Sequence, residues 1–134
     1  MTPSRFLLAS VLGLALAGGA VLADEAGMTG DQLTALLSGG KTILLGGPGA
    51  GYDGELVLNA DGTGAGQAKT AEGDELTLTG TWSIKGDQFC RAWKEFDDGA
   101  EVCETWVPDG ENRVRVLVNG EEVGRGRAVG RALA

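Results

Sequence analysis

The chain contains no histidine. The commonest general base is therefore missing, and with it the Ser-His-Asp triad and most transition-metal sites. Cysteine is limited to Cys90 and Cys103, with twelve residues between them, too far apart for the closely spaced thiols of redox motifs. Bases are scarce, 11 Lys and Arg against 19 Asp and Glu, for a net charge of -8. Such a surface repels nucleic acid and anionic lipid; it suits a solvated exterior that attracts cations or basic partners. Large aromatics are few as well: three Trp, three Phe and one Tyr.

Without histidine, catalysis would have to rest on carboxylates. The acids sit mainly in turns, as Asp53-Gly54, Asp61-Gly62, Asp98-Gly99 and Asp109-Gly110, where backbone geometry alone explains Asp before Gly. Nothing singles out the carboxylate pair of a glycosidase. Asp97, Asp98 and Glu101 offer hard oxygen ligands but do not follow the D-x-D-x-D-G spacing of a calcium loop. The segment GGPGAGYDG, residues 46–54, lacks both the Gly-Lys-Ser/Thr ending and the following helix of a phosphate loop. It reads as a flexible loop beside a pocket. The expectation is therefore no catalytic residue, no metal and no cofactor.

What is present begins with MTPSRFLLASVLGLALAGGAVLA. A short region carrying Arg5, an apolar run from Phe6 and a small-residue exit at Val21-Leu22-Ala23 make a secretory signal peptide over residues 1–23. A membrane anchor is the alternative, weakened by three glycines in the apolar run and by Asp24 and Glu25 directly after it. Cleavage after Ala23 removes Arg5 and no acid, leaving 111 residues with 10 bases and 19 acids, a net charge of -9. That length suits one domain, residues 24–134, periplasmic or secreted, with no membrane segment after cleavage.

MTGDQLTALLSGG reads as one short helix: Thr29 is the N-cap and Gln32 completes a capping box. Met28 can staple against Leu33; Leu33, Leu36 and Leu37 share a face, and Gly39 or Gly40 supplies the exit. From Lys41 the period becomes strand-like, with strands expected near 42–46, 54–60, 64–70, 75–85, 88–95, 101–107, 112–118 and 122–129. The clearest is ELTLTGTWSIKGD, in which Leu76, Leu78, Gly80, Trp82 and Ile84 alternate with Thr, Ser and Lys. Asp61-Gly62 and Asn119-Gly120 favour tight turns between antiparallel neighbours. The fold class is mainly β, an antiparallel eight-stranded meander barrel preceded by one short helix.

Export makes a disulfide the expected state of the two cysteines. Setting Cys90 opposite Cys103 places Arg91 opposite Val102, Ala92 opposite Glu101 and Trp93 opposite Ala100, and leaves Lys94 to Gly99 for the turn. Facing positions of an antiparallel pair lie close enough to bridge. Closing this 14-residue segment stabilises by about 3 kcal/mol in the chain-entropy picture. Trp82 is assigned to the core, whereas Trp93 and Trp106 fit either a core or a pocket.

Taken in order, LTALLSGGKT, NADGTGAG, GTWSIKGDQFCRAW and CETW resemble a pattern in small exported proteins of alphaproteobacteria, a family grouped as a domain of unknown function. The resemblance covers about residues 29–106. It implies a calycin-like or lipocalin-like barrel with no assigned activity and no catalytic residues to transfer. The glycine-rich 46–54 segment departs from that pattern.

Three functional classes follow. The first is a periplasmic binding module for a small apolar or amphipathic ligand, held in a barrel mouth bordered by the 46–54 loop, with Tyr52, Trp93 and Trp106 as contacts. The second is an accessory protein that binds an envelope protein or other macromolecule through an acidic face, without a pocket. An enzyme ranks third, for want of histidine and clustered acids.

Overall fold

The structure, a computed structural model, describes residues 26–130. The signal-peptide reading of residues 1–23 lies outside them. The described residues form one α-helix and eight strands in the order α1 (Gly30–Leu37), β1 (Lys41–Gly46), β2 (Tyr52–Leu58), β3 (Thr63–Thr70), β4 (Glu75–Lys85), β5 (Gln88–Trp93), β6 (Val102–Pro108), β7 (Arg113–Val118) and β8 (Glu121–Ala128). Each strand pairs antiparallel with the next, and β1 pairs with β8, so the meander closes into a barrel. Closure rests on Ile43 opposite Ala128, Leu44 opposite Arg127 and Leu45 opposite Gly126. Beyond that ladder, Thr42 donates its N–H to Gly130 and accepts that of Val129. Among the described residues every strand therefore has a hydrogen-bonded neighbour on each side.

Helix α1 begins as its residues dictate. The Thr29 hydroxyl accepts the Gln32 N–H at 3.1 Å, and the Gln32 side-chain Oε1 accepts the Thr29 N–H at 2.9 Å. Two otherwise orphaned donors are thereby satisfied. Leu33 and Leu37 are fully buried, with Met28 and Leu36 packed beside them. The helix contacts β4 and β5, and its first turn docks on their hairpin: the Gly30 N–H donates to Asp87 Oδ1 at 2.7 Å. A Cβ on Gly30 would strike the Gly86 carbonyl. The helix thus covers one end of the barrel, the end that also carries the β2–β3 and β4–β5 turns.

Side chains alternate along the strands. Ile43, Leu56, Leu58, Phe89, Trp93, Trp106, Val114 and Ala128 join Leu33 and Leu37 in one core. Phe89 lies between two tryptophans, its ring centroid 5.7 Å from Trp82 and 4.7 Å from Trp106. Trp82 differs from expectation. It is half-buried at the edge of the core, and its indole N–H is shared by the carbonyls of Asn59 and Thr63, each at 3.1 Å. Both carbonyls also accept backbone N–H groups within the β2–β3 turn, from Gly62 and Asn59, so the indole joins a turn that is already hydrogen-bonded while its own N–H is satisfied.

Cys90 and Cys103 are disulfide-bonded and directly opposed, with Cα atoms 3.9 Å apart. The expected register holds for Arg91 opposite Val102 but then ends. Ala92 and Trp93 do not meet Glu101 and Ala100; they stay on β4, opposite Thr81 and Gly80. The cause lies two residues beyond Trp93. Glu95 accepts both the N–H and the hydroxyl of Thr79, at 2.8 and 2.6 Å, and ties the chain to β4. Asp97 and Asp98, both with φ of 54°, then start a short 3-10 turn, while Glu101 pairs with Lys85 at 2.8 Å. The β5–β6 ladder is left with three residue pairs, and the disulfide is the middle one.

Candidate functional site

The end of the barrel opposite α1 carries the β1–β2, β3–β4, β5–β6 and β7–β8 connections. Inside it lies a cavity of about 360 Å³, within the usual size range of small-molecule sites. Its wall is mostly apolar, with Ile43, Leu45, Leu56, Ala68, Leu76, Leu78, Val114 and Val116 from neighbouring strands. Phe96 and Val123 stand with them on the wall. Val123 is placed there by a bulge: Val116 faces Gly124 but Leu117 faces Glu122, so Val123 has no partner in the ladder.

The three residues singled out as ligand contacts, Tyr52, Trp93 and Trp106, all line this cavity. Trp93 and Trp106 are 5% and 3% exposed, so they are also core residues. The two roles distinguished from sequence coincide here, because the cavity floor is the top of the core. Tyr52 stands at the β1–β2 end of the barrel, and its hydroxyl accepts the Arg125 N–H at 3.1 Å. Of the glycine-rich 46–54 segment, Tyr52 alone reaches the cavity wall. Its remaining residues make a tight connection in which Gly47 donates to the Tyr52 carbonyl and Ala50 to that of Gly47.

Two wall residues escaped the sequence reading. Glu104 is the one buried charged residue among those described, 8% exposed. Its Oε2 accepts Arg91 Nε at 2.8 Å and its Oε1 accepts Trp106 Nε1 at 2.9 Å. The Arg91 side chain is 15% exposed, and its Nη1 lies 3.8 Å from Oδ2 of the exposed Asp97. The signal was present in the period-2 alternation: Arg91 lies between Phe89 and Trp93 on the inward face of β5, and Glu104 precedes Trp106 by two on β6. Cys90 and Cys103, next to them in the chain, face the other way.

The acids considered for calcium have basic neighbours. Asp97 stands near Arg91 and Glu101 pairs with Lys85. Charge is also uneven on the outer wall. Arg113 opposes Arg127 and Arg115 opposes Arg125 across β7 and β8, with the Glu122 carboxylate 3.6 Å from Arg115 and 3.3 Å from Arg125. No helix among the described residues is long and apolar enough to cross a membrane. No family model matches the chain, and no curated protein or solved structure is significantly similar to it.

Proposed function

We propose that this chain is an exported binding module that holds one small apolar or amphipathic molecule in the mouth of the barrel. The observation that carries this reading is the cavity of about 360 Å³, open at one end, with aliphatic walls and Trp93 and Trp106 at its base. Apolar surface left in contact with water inside a folded domain is costly, and a ligand of matching polarity removes that cost. Tyr52, Trp93 and Trp106 are the aromatic contacts. Export is supported by the signal-like residues 1–23 and by the disulfide. A periplasmic or secreted setting and membership of the exported barrel family that the sequence resembles belong to the same proposal.

The test uses the neutral fluorophore N-phenyl-1-naphthylamine. It should brighten and shift to the blue with the native chain, and Ala68→Leu, which adds bulk to the cavity wall, should weaken this binding severalfold. Absence of binding, or binding indifferent to Ala68→Leu in a folded variant, would overturn the reading.

A further inference from the structure

The polar residues of the cavity restrict the class of molecule that fits. We infer that Arg91 is a seat for a single carboxylate, so that the ligand is an apolar body bearing one carboxylate group; this rests on the reading of the cavity as a ligand site. Arg91 lines the cavity, and only its Nε is hydrogen-bonded, to Glu104. Its terminal nitrogens make no hydrogen bond among the described residues. Asp97 Oδ2 is 3.8 Å from Nη1, beyond hydrogen-bond reach. Donors left unpaired in a largely apolar cavity favour an acceptor brought by a ligand. The two terminal amino groups form the planar fork that fits both oxygens of a carboxylate.

Glu104 fixes the fork and limits its charge. Both Glu104 oxygens are occupied, by Arg91 and Trp106, so the carboxylate cannot swing away and the guanidinium plane is held by its Nε. One negative charge on Glu104 already offsets Arg91, and Asp97 adds another beside it. A monoanion that takes the place of the exposed Asp97 leaves the charge beside Arg91 unchanged, whereas a phosphate dianion would add one more negative charge. Asp97 lies in the β5–β6 connection and stands where the incoming carboxylate would approach Nη1. It acts as an occupant that the ligand displaces.

The probe pair is decanoate and 1-decanol, which share a chain and differ in the head group, with binding measured by calorimetry. The native chain should bind decanoate about tenfold more tightly than decanol, the gain expected of a charge-assisted over a neutral contact. In the double variant Arg91→Met, Glu104→Gln, which removes both charges and keeps an acceptor for Trp106, the two affinities should become equal. Asp97→Asn, an exposed change that leaves the fold intact, should raise decanoate affinity about two- to fivefold by removing a like charge. Equal binding of decanoate and decanol by the native chain would overturn the carboxylate seat while leaving the cavity reading intact. A preference that persists in the double variant, or a decanoate affinity not raised by Asp97→Asn, would overturn the role of Arg91. Binding of neither probe would overturn both readings.

Discussion

The Tyr52 hydroxyl accepts the Arg125 N–H at 3.1 Å, reaching past β1 from the start of β2 to β8. The β1–β8 ladder stops at Leu45 opposite Gly126, and Arg125, one residue beyond, finds its acceptor in a side chain. Glycine makes this possible. Gly46 has φ of +66°, and a Cβ there would meet the Tyr52 carbonyl and come within 2.8 Å of its ring. Tyr52→Phe should cost about 1 kcal/mol, the net worth of one hydrogen bond. Faster hydrogen exchange at the Arg125 amide would locate the loss. Gly46→Ala should cost more, since it adds both backbone strain and a collision; urea unfolding of both variants checks the order.

Breaking the Arg91–Glu104 pair from the acid side should be costly. Glu104→Gln keeps an acceptor for Trp106 Nε1 but leaves the Arg91 guanidinium beside the core with only the exposed Asp97, 3.8 Å from Nη1, as a counter-charge. Fully buried pairs lose about 3–5 kcal/mol when one partner is removed. Because Arg91 reaches the cavity, about 2–3 kcal/mol is expected here. Denaturant unfolding measures this, and addition of Arg91→Met should restore part of it by removing the stranded charge.

The disulfide occupies the middle of a three-pair ladder, next to the connection that carries Phe96 and Asp97. Replacing both cysteines by serine should lower stability by about 2–3 kcal/mol. The β5–β6 connection should loosen first, seen as lost amide protection over residues 94–101. Peptide mapping without reductant should recover Cys90 and Cys103 as one linked pair; free thiols in freshly isolated protein would contradict it.

Acid should release the same connection from β4. The Thr79 hydroxyl and N–H both donate to the Glu95 carboxylate, and these bonds, the hydroxyl first, hold its pKa below the ordinary glutamate value. A carboxyl group with a lowered folded-state pKa stabilises above its unfolded pKa, and that contribution is lost as pH falls through the folded value. The Thr79 amide resonance should therefore titrate together with the Glu95 carboxyl, on the acid side of an ordinary glutamate. Glu95→Gln should abolish the titration at Thr79, and a Thr79 amide that does not respond to Glu95 would refute the coupling.

The capping box predicts a local loss. Thr29→Ala removes the acceptor for the Gln32 N–H and should cost about 1 kcal/mol. Because Leu33 and Leu37 are fully buried, the loss should appear in global unfolding rather than as fraying of α1 alone.

Much of this molecule was legible in the order of its residues. Alternation of apolar and polar residues, clearest in 75–85, together with glycine-bearing turns at short intervals marked all eight strands to within a few residues, because a strand with one buried face must repeat every second position. Thr29 and Gln32 marked the helix start, because the caps are local hydrogen bonds. The Cys90–Cys103 pairing followed from hairpin symmetry, and Asp61-Gly62 and Asn119-Gly120 from turn geometry. All of these depend on neighbours in the chain.

What the tertiary structure decided depends on residues far apart in sequence. Closure of β1 on β8 joins positions more than 80 residues apart, and no local pattern specifies it. The hairpin register ended early because Glu95 found Thr79, 16 residues away. Trp82 packs at the edge of the core with its indole N–H on two carbonyls of the β2–β3 turn, while Trp93 and Trp106 take up both core and cavity wall. The Cys90–Cys103 register by itself makes Arg91 and Glu104 diagonal neighbours, but only the closed barrel set them in a cavity wall, with the terminal nitrogens of the guanidinium free of hydrogen bonds among the described residues. Periodicity tells which way a side chain points; what it meets there is set by strands brought together from across the chain.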